Sequence, residues 1–109
     1  MNELAKRKCK PCEGGVAAFS EAQGRDMLKA LKGWSLEDGK LVKLYPFANY
    51  HHTMAFVNAL AWISHRDDHH PDLEVGYNKC RVTYCTHAVG GLSENDFICA
   101  AKCDALFEI

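Results

Sequence analysis

Asp38-Gly39 does most to limit what this chain can fold into. The pair sits between "WSLE" and "KLVKLYPF", two runs that carry apolar residues. The favoured two-residue hairpin turn needs positive φ at both central positions, and Asp-Gly supplies that at little cost. A hairpin makes its strands antiparallel, so an all-parallel α/β architecture is excluded for this part of the chain. Trp34 and Leu36 share a face of the first strand, and Pro46 ends the second or places it at an edge. A second pair of strand-like runs, "LEVGYN" and "KCRVTYCTH", surrounds Asn78-Lys79. Leu73, Val75 and Tyr77 alternate in the first run. In the second, Val82 and Tyr84 oppose Arg81, Thr83, Cys85 and His87.

Helical periods separate and flank these hairpins. Ser20 with Gln23 three residues on forms a capping box ahead of Met27, Leu28 and Leu31, and Gly33 suits the left-handed stop. Asn49 caps "YHHTMAFVNALAWISHRDD", where Met54, Phe56, Val57, Leu60, Trp62 and Ile63 cover most of the circumference. A helix so apolar is expected to bury two sides, one against the sheet and one against another subunit. It should stop near the aspartates, because the residue before Pro71 is pushed out of helical geometry. Ser93 caps a last helix with Asp96 at its third position; Phe97, Ile98, Ala101, Ala105 and Leu106 form its buried stripe. The order is α-β-β-α-β-β-α. The expected fold is α+β: one domain, a four-stranded antiparallel sheet with helices packed on one face. Residues 1–17, charged and Gly-rich, read as a flexible N-terminal arm, and residues 18–109 as the folded domain.

The chain has 109 residues and a formal net charge of -1, enough for one small core and with no call for nucleic acid. Lys6, Arg7, Lys8 and Lys10 read as a solvated basic tail. No apolar stretch is long enough to span a bilayer and no signal peptide opens the chain, so a cytoplasmic location and no membrane partner are expected. In that setting the six cysteines are expected as reduced thiols. Cys9-Lys-Pro-Cys12 has the spacing of half a zinc site, for which Cys99 and Cys103 are the conceivable but looser second half. No metal and no cofactor are assigned.

"SHRDDHHPDLEVGYNK" concentrates His65, His69 and His70 at a junction between helix and strand. Adjacent His69 and His70 cannot both point one way in regular structure, and no glutamate follows His65 as a zinc-protease helix requires. Acid–base chemistry fits better, since imidazole donates and accepts protons near neutrality. A dehydration needs both actions, an acid for the departing hydroxyl and a base for the adjacent proton. His87, ending a strand before Gly90-Gly91, is the natural third member. His51 and His52, early in their helix, read as surface. From the residues alone His69 and His70 stand equally well as loop surface.

The ordered set His65-x3-His69-His70-Pro71, Tyr77-Asn78-Lys79, Thr86-His87, Gly91-Leu92-Ser93-Glu94 and Asp96, with Gly33-Trp34 upstream, resembles the pterin-4a-carbinolamine dehydratases, also called 4a-hydroxytetrahydrobiopterin dehydratases. The resemblance covers roughly residues 19–108 and implies the same α+β fold. It implies a hydro-lyase that converts 4a-hydroxytetrahydrobiopterin to quinonoid dihydropterin in tetrahydrobiopterin recycling, downstream of an aromatic amino acid hydroxylase. It implies a homodimer or homotetramer assembled through helix packing. His69 and His87 would act as general acids, and His70 would hold the pterin and help with the proton on nitrogen 5. His65, His69, His70, Pro71, Thr86, His87, Ala88 and Val89 would bind substrate. Asp96 matches the family's aspartate but is read as a helix-capping acid and left outside the catalytic set. Position 65 is often glutamate in the family, so histidine there is a departure. The alternative implied by the resemblance is a protein-binding module, a dimerisation cofactor of a transcription factor, with catalysis secondary.

Overall fold

The computed structural model describes residues 3–10 and 18–108. Its main elements are α1 (Glu21–Leu28), β1 (Ser35–Glu37), β2 (Lys40–Pro46), α2 (Tyr50–Asp67), β3 (Asp72–Val75), β4 (Lys79–Tyr84) and α3 (Glu94–Ala105). The four strands form one antiparallel sheet in the order β1-β2-β4-β3, as the two hairpins require. At the first turn Asp38 and Gly39 both have positive φ, 51° and 73°. Residues opposite one another across the ladders share a face. Leu41 pairs with Tyr84, Lys43 with Val82 and Tyr45 with Cys80, so these side chains point at the helices. Leu41, Val82, Tyr84 and Cys80 are all buried, together with Phe56 and Leu60 of α2 and Phe97, Ile98 and Cys99 of α3. The opposite face carries Glu37, Leu44, Glu74 and Arg81, with Arg81 bonded to Glu37 at 2.9 Å.

The caps fall where the sequence puts them. Ser20 and Gln23 close a capping box on α1, Asn49 accepts from the His52 N–H at the start of α2, and Ser93 with Asp96 closes the box on α3. Three local expectations differ. First, α1 stops at Leu28, and Gly33 (φ 79°) serves the following turn rather than a helix end. Second, Tyr77 lies in the β3–β4 turn, 66% exposed, not on a strand. Third, α2 does stop at the aspartates, at Asp67, but the residue before Pro71 is not what stops it. Asp68 takes left-handed geometry (φ 51°), and His69 N–H and Asp68 N–H return to the Ser64 and His65 carbonyls at 3.1 and 3.4 Å. These two bonds form a Schellman closure, which aspartate tolerates better than most residues.

Residues 3–10, expected from the sequence as part of a flexible arm, are packed against the domain. Leu4 and Ala5, in a single 3-10 turn (Leu4–Lys6), are buried against α3. Arg7 bonds Glu94 at 3.0 Å, Lys10 N–H donates to Asn95 Oδ1 at 3.0 Å, and Cys9 N–H donates to Asp67 Oδ1 at 3.3 Å. Two adjacent apolar residues carry no period, but burying them offsets part of the cost of ordering the segment. Cys12 and the Gly-rich stretch after it lie outside the described residues.

Asp67 ties this segment and α3 to the end of α2. Burial alone would push its carboxyl up. The Lys102 ammonium, at 2.8 Å from both oxygens, and the Cys9 N–H outweigh that and hold it below the usual carboxylate range. A lowered folded-state value means the pairing stabilises fully above the unfolded-state value of about 4. The contribution is lost as pH falls through the lower folded value. Asp67→Asn should therefore reduce stability at neutral pH by about 1–3 kcal/mol and lose less than wild type on acidification. Urea midpoints at neutral and acid pH measure both effects.

Candidate active site

The Schellman turn at Asp68 has a consequence beyond ending α2: it swings His69 back over the sheet. The His69 ring stacks on Tyr84 of β4, centroids 5.9 Å apart and planes within 8°. Its Nε2 lies 2.6 Å from Oδ1 of Asp96, which is wholly buried at the start of α3. The other carboxylate oxygen accepts from the Ser93 N–H at 2.9 Å and the Thr86 hydroxyl at 2.8 Å. Thr86 in turn lies 2.7 Å from the Ser93 hydroxyl. A carboxylate so surrounded accepts, so the His69 Nε2 carries the hydrogen, and Nδ1 is the ring nitrogen left for a ligand. Asp96 thus caps α3 with one oxygen and orients His69 with the other. Burial pushes the Tyr84 phenol well up, so it stays neutral beneath the ring; its hydroxyl has no hydrogen-bond partner among the described residues.

His87 comes from the other side. β4 ends at Tyr84, and Thr86 bridges to Gly91 in antiparallel fashion, pinching the intervening segment into a 3-10 turn (His87–Val89) closed by Gly90 at φ 68°. A side chain at Gly91 is blocked as well, since its Cβ would stand 2.9 Å from that of Ala18. His87 and Ala88 are thereby exposed beside the end of α2.

A cleft of about 590 Å3 lies between these parts. His69, His70, Thr86, His87 and Ala88 all line it, so five of the substrate-binding residues expected from the sequence meet in one hollow. His70 is exposed there, with Nδ1 3.4 Å from the Pro71 carbonyl. Pro71 and Val89 adjoin the cleft without lining it. His65 is elsewhere. Its ring lies tilted against Trp62 (centroids 5.8 Å apart, planes at 33°), and it lines a neighbouring groove of about 830 Å3 with Lys6, Arg7 and Lys102. His65→Glu should keep the wild-type rate and change stability by no more than about 0.5 kcal/mol, the usual range for surface changes. A large fall in rate, checked by steady-state assay, would give His65 a role of its own.

Two contributors escaped the sequence reading. Asp96 was legible as a cap, but its second oxygen was not. Lys8, Cys9 and Lys10 also line the cleft, which makes the N-terminal segment one of its walls. Among the described residues no group of three or more His, Cys, Asp or Glu side chains is placed to hold a metal ion.

The geometry can be set beside known proteins. The family model described as Pterin 4 alpha carbinolamine dehydratase matches residues 17–106. A protein of Nitrosomonas eutropha named for pterin-4-alpha-carbinolamine dehydratase is 61% identical over 105 residues, 95% of this chain and 93% of that one. One of Nitrosomonas europaea with the same name is 61% identical over 107 residues, covering 97% and 95%. Among solved structures, a transcriptional coactivator/pterin dehydratase from Brucella melitensis superposes with a TM-score of 0.78 at 28% identity, over 82% of this chain and 97% of that one. A pterin dehydratase-like protein identified as a RuBisCO assembly factor in the alpha-carboxysome gives 0.56 at 30% identity, over 67% and 84%. The match along nearly the whole described domain, in sequence and in fold, places this chain in the pterin-4-alpha-carbinolamine dehydratase family.

Proposed function

We propose that the cleft dehydrates a pterin-4a-carbinolamine, 4a-hydroxytetrahydrobiopterin, to the quinonoid dihydropterin by histidine acid–base catalysis. The reading rests on one arrangement: three imidazoles on one cleft, one of them fixed through Nε2 by a buried carboxylate. The chemistry is the loss of one water. The hydroxyl on carbon 4a leaves with a proton supplied by His87, or by His69 once its Nδ1 carries a proton as well as Nε2, and the proton on nitrogen 5 departs as the new double bond forms. His70 holds the pterin and takes part in that second transfer. His70, His87 and Ala88 are exposed at the cleft, where their peptide groups would meet the amide-like edge of a pterin, which needs both donors and acceptors. An aromatic amino acid hydroxylase would supply the substrate in tetrahydrobiopterin recycling.

A homodimer or homotetramer built on α2 accords with the exposure of Tyr50 (49%) and Trp62 (62%) on that helix. Among the described residues no helix is long and apolar enough to cross a membrane, which is compatible with action in the cytoplasm. The same exposed aromatics support a second reading, a protein-binding module such as a transcription-factor dimerisation cofactor. The carbinolamine also dehydrates unaided, so the deciding experiment compares its decay with and without protein, for wild type and for His69→Ala, His70→Ala and His87→Ala. Acceleration by wild type and its loss in the variants is expected. Equal rates in every case would leave only the binding module.

A further inference from the structure

We propose that Cys9 and Cys99 are a reversible disulfide-forming pair, a modification site that fastens the N-terminal segment onto the cleft. Their sulfurs stand 3.4 Å apart although the residues are 90 positions apart in the chain. A disulfide needs about 2 Å, so a small side-chain adjustment brings the sulfurs to bonding distance. The backbone around Cys9 is already held in place. Its own N–H is bonded to Asp67, and the next residue exchanges two bonds with Asn95, at 3.0 and 2.6 Å. Arg7 is bonded to Glu94 on the other side. The segment is therefore docked on α3 by contacts independent of the sulfurs.

The two thiols are unequal in a way that sets an order of events. Cys9 is half-buried and lines the cleft, so a small solute reaches it there. Cys99 is wholly buried, and its hydrogen bond with Cys9 together with burial pushes its thiol up. Cys9 is accordingly the attacking group and Cys99 the resolving one. With a hydroperoxide as oxidant, the Cys9 thiolate attacks the O–O bond. A sulfur–oxygen bond forms, the O–O bond breaks, and the departing oxygen takes a proton from water. The Cys99 sulfur then displaces the hydroxyl from the Cys9 sulfenic acid. The S–S bond forms, the S–O bond breaks, and the Cys99 proton leaves with the hydroxyl as water. Two thiols give up two electrons and the peroxide accepts them; a dithiol reductant reverses the change. The product locks in place the wall that carries Lys8 and Lys10.

The test treats the full-length protein with hydrogen peroxide, then with a dithiol. Peptide mapping should find Cys9 joined to Cys99, with the intact mass lower by two hydrogens. Amide exchange over residues 3–10 should slow, and the dithiol should restore both. Cys9→Ser should form no such link and show no change in exchange. It changes a half-buried thiol, so it tests the pair without disturbing the core. A link from Cys9 to Cys12 or from Cys99 to Cys103, oxidation of Cys9 without any link, or zinc held by Cys9 in the reduced protein would each overturn the assignment. A Cys9–Cys99 link that leaves exchange unchanged would overturn the fastening role.

Discussion

His69→Ala should slow the catalysed dehydration by about a hundredfold or more, the scale of one positioned acid–base group. The expectation follows from how the ring is held. Stacking on Tyr84 fixes its plane and the 2.6 Å bond to Asp96 fixes its rotation, so Nδ1 is presented without a search over rotamers. The alanine variant has a second effect to be separated from the first. It strips a buried Asp96 oxygen of its donor, which costs about 1–3 kcal/mol. His69→Gln separates the two, since its amide can donate to Asp96 but cannot shuttle a proton. It should recover much of the stability and little of the rate. Asp96→Asn retains the ring while removing the charge that orients it, and should fall between wild type and His69→Ala in rate. Wild-type turnover by His69→Ala, in protein shown to be folded, would remove His69 from the mechanism.

The parts of this fold that could be read from the sequence are those decided within a few residues. Asp38-Gly39, Ser20 with Gln23, Asn49, and Ser93 with Asp96 each satisfy their own backbone locally, so the turn or cap follows from the residues present. Periods of two and of about three and a half then supplied the strands and helices between them. What was not legible depends on distant partners. Leu4 and Ala5 look like part of a charged tail until α3 is beside them, and Cys9 meets Cys99 across nearly the whole chain. Asp68 ending α2 ahead of Pro71 is a choice between two permitted stops, made where the Schellman bonds to Ser64 and His65 form. In the site, the histidines announced themselves by type and crowding. The second duty of Asp96 did not, because a capping acid looks the same whether or not its other oxygen is used.

Asp104→Ala should destabilise the protein by about 2–4 kcal/mol while leaving the cleft chemistry unchanged. Asp104 sits in the last turn of α3 and gathers three donors from the sheet side. Trp34 Nε1 reaches it at 3.0 Å, Lys43 Nζ at 2.8 Å, and the Tyr45 hydroxyl shares its Oδ1. Lys43 also caps the Lys32 carbonyl at 3.0 Å and lies over the Tyr45 ring, 4.7 Å from its centre. Burial pushes the Tyr45 phenol far up, so it keeps its proton and donates. Alanine would leave the buried Trp34 N–H and Tyr45 O–H without their acceptor, each costing about 1–3 kcal/mol, partly relieved by water because Asp104 is itself 30% exposed. Asp104→Asn keeps one acceptor oxygen and should lose about half as much. Urea denaturation with an unchanged slope checks the size of the loss, and the dehydration rate of the folded variant checks its confinement, since Asp104 does not line the histidine cleft. A midpoint within error of wild type would mean that the helix is tied to the sheet by apolar packing alone and that the hub is only a surface cluster.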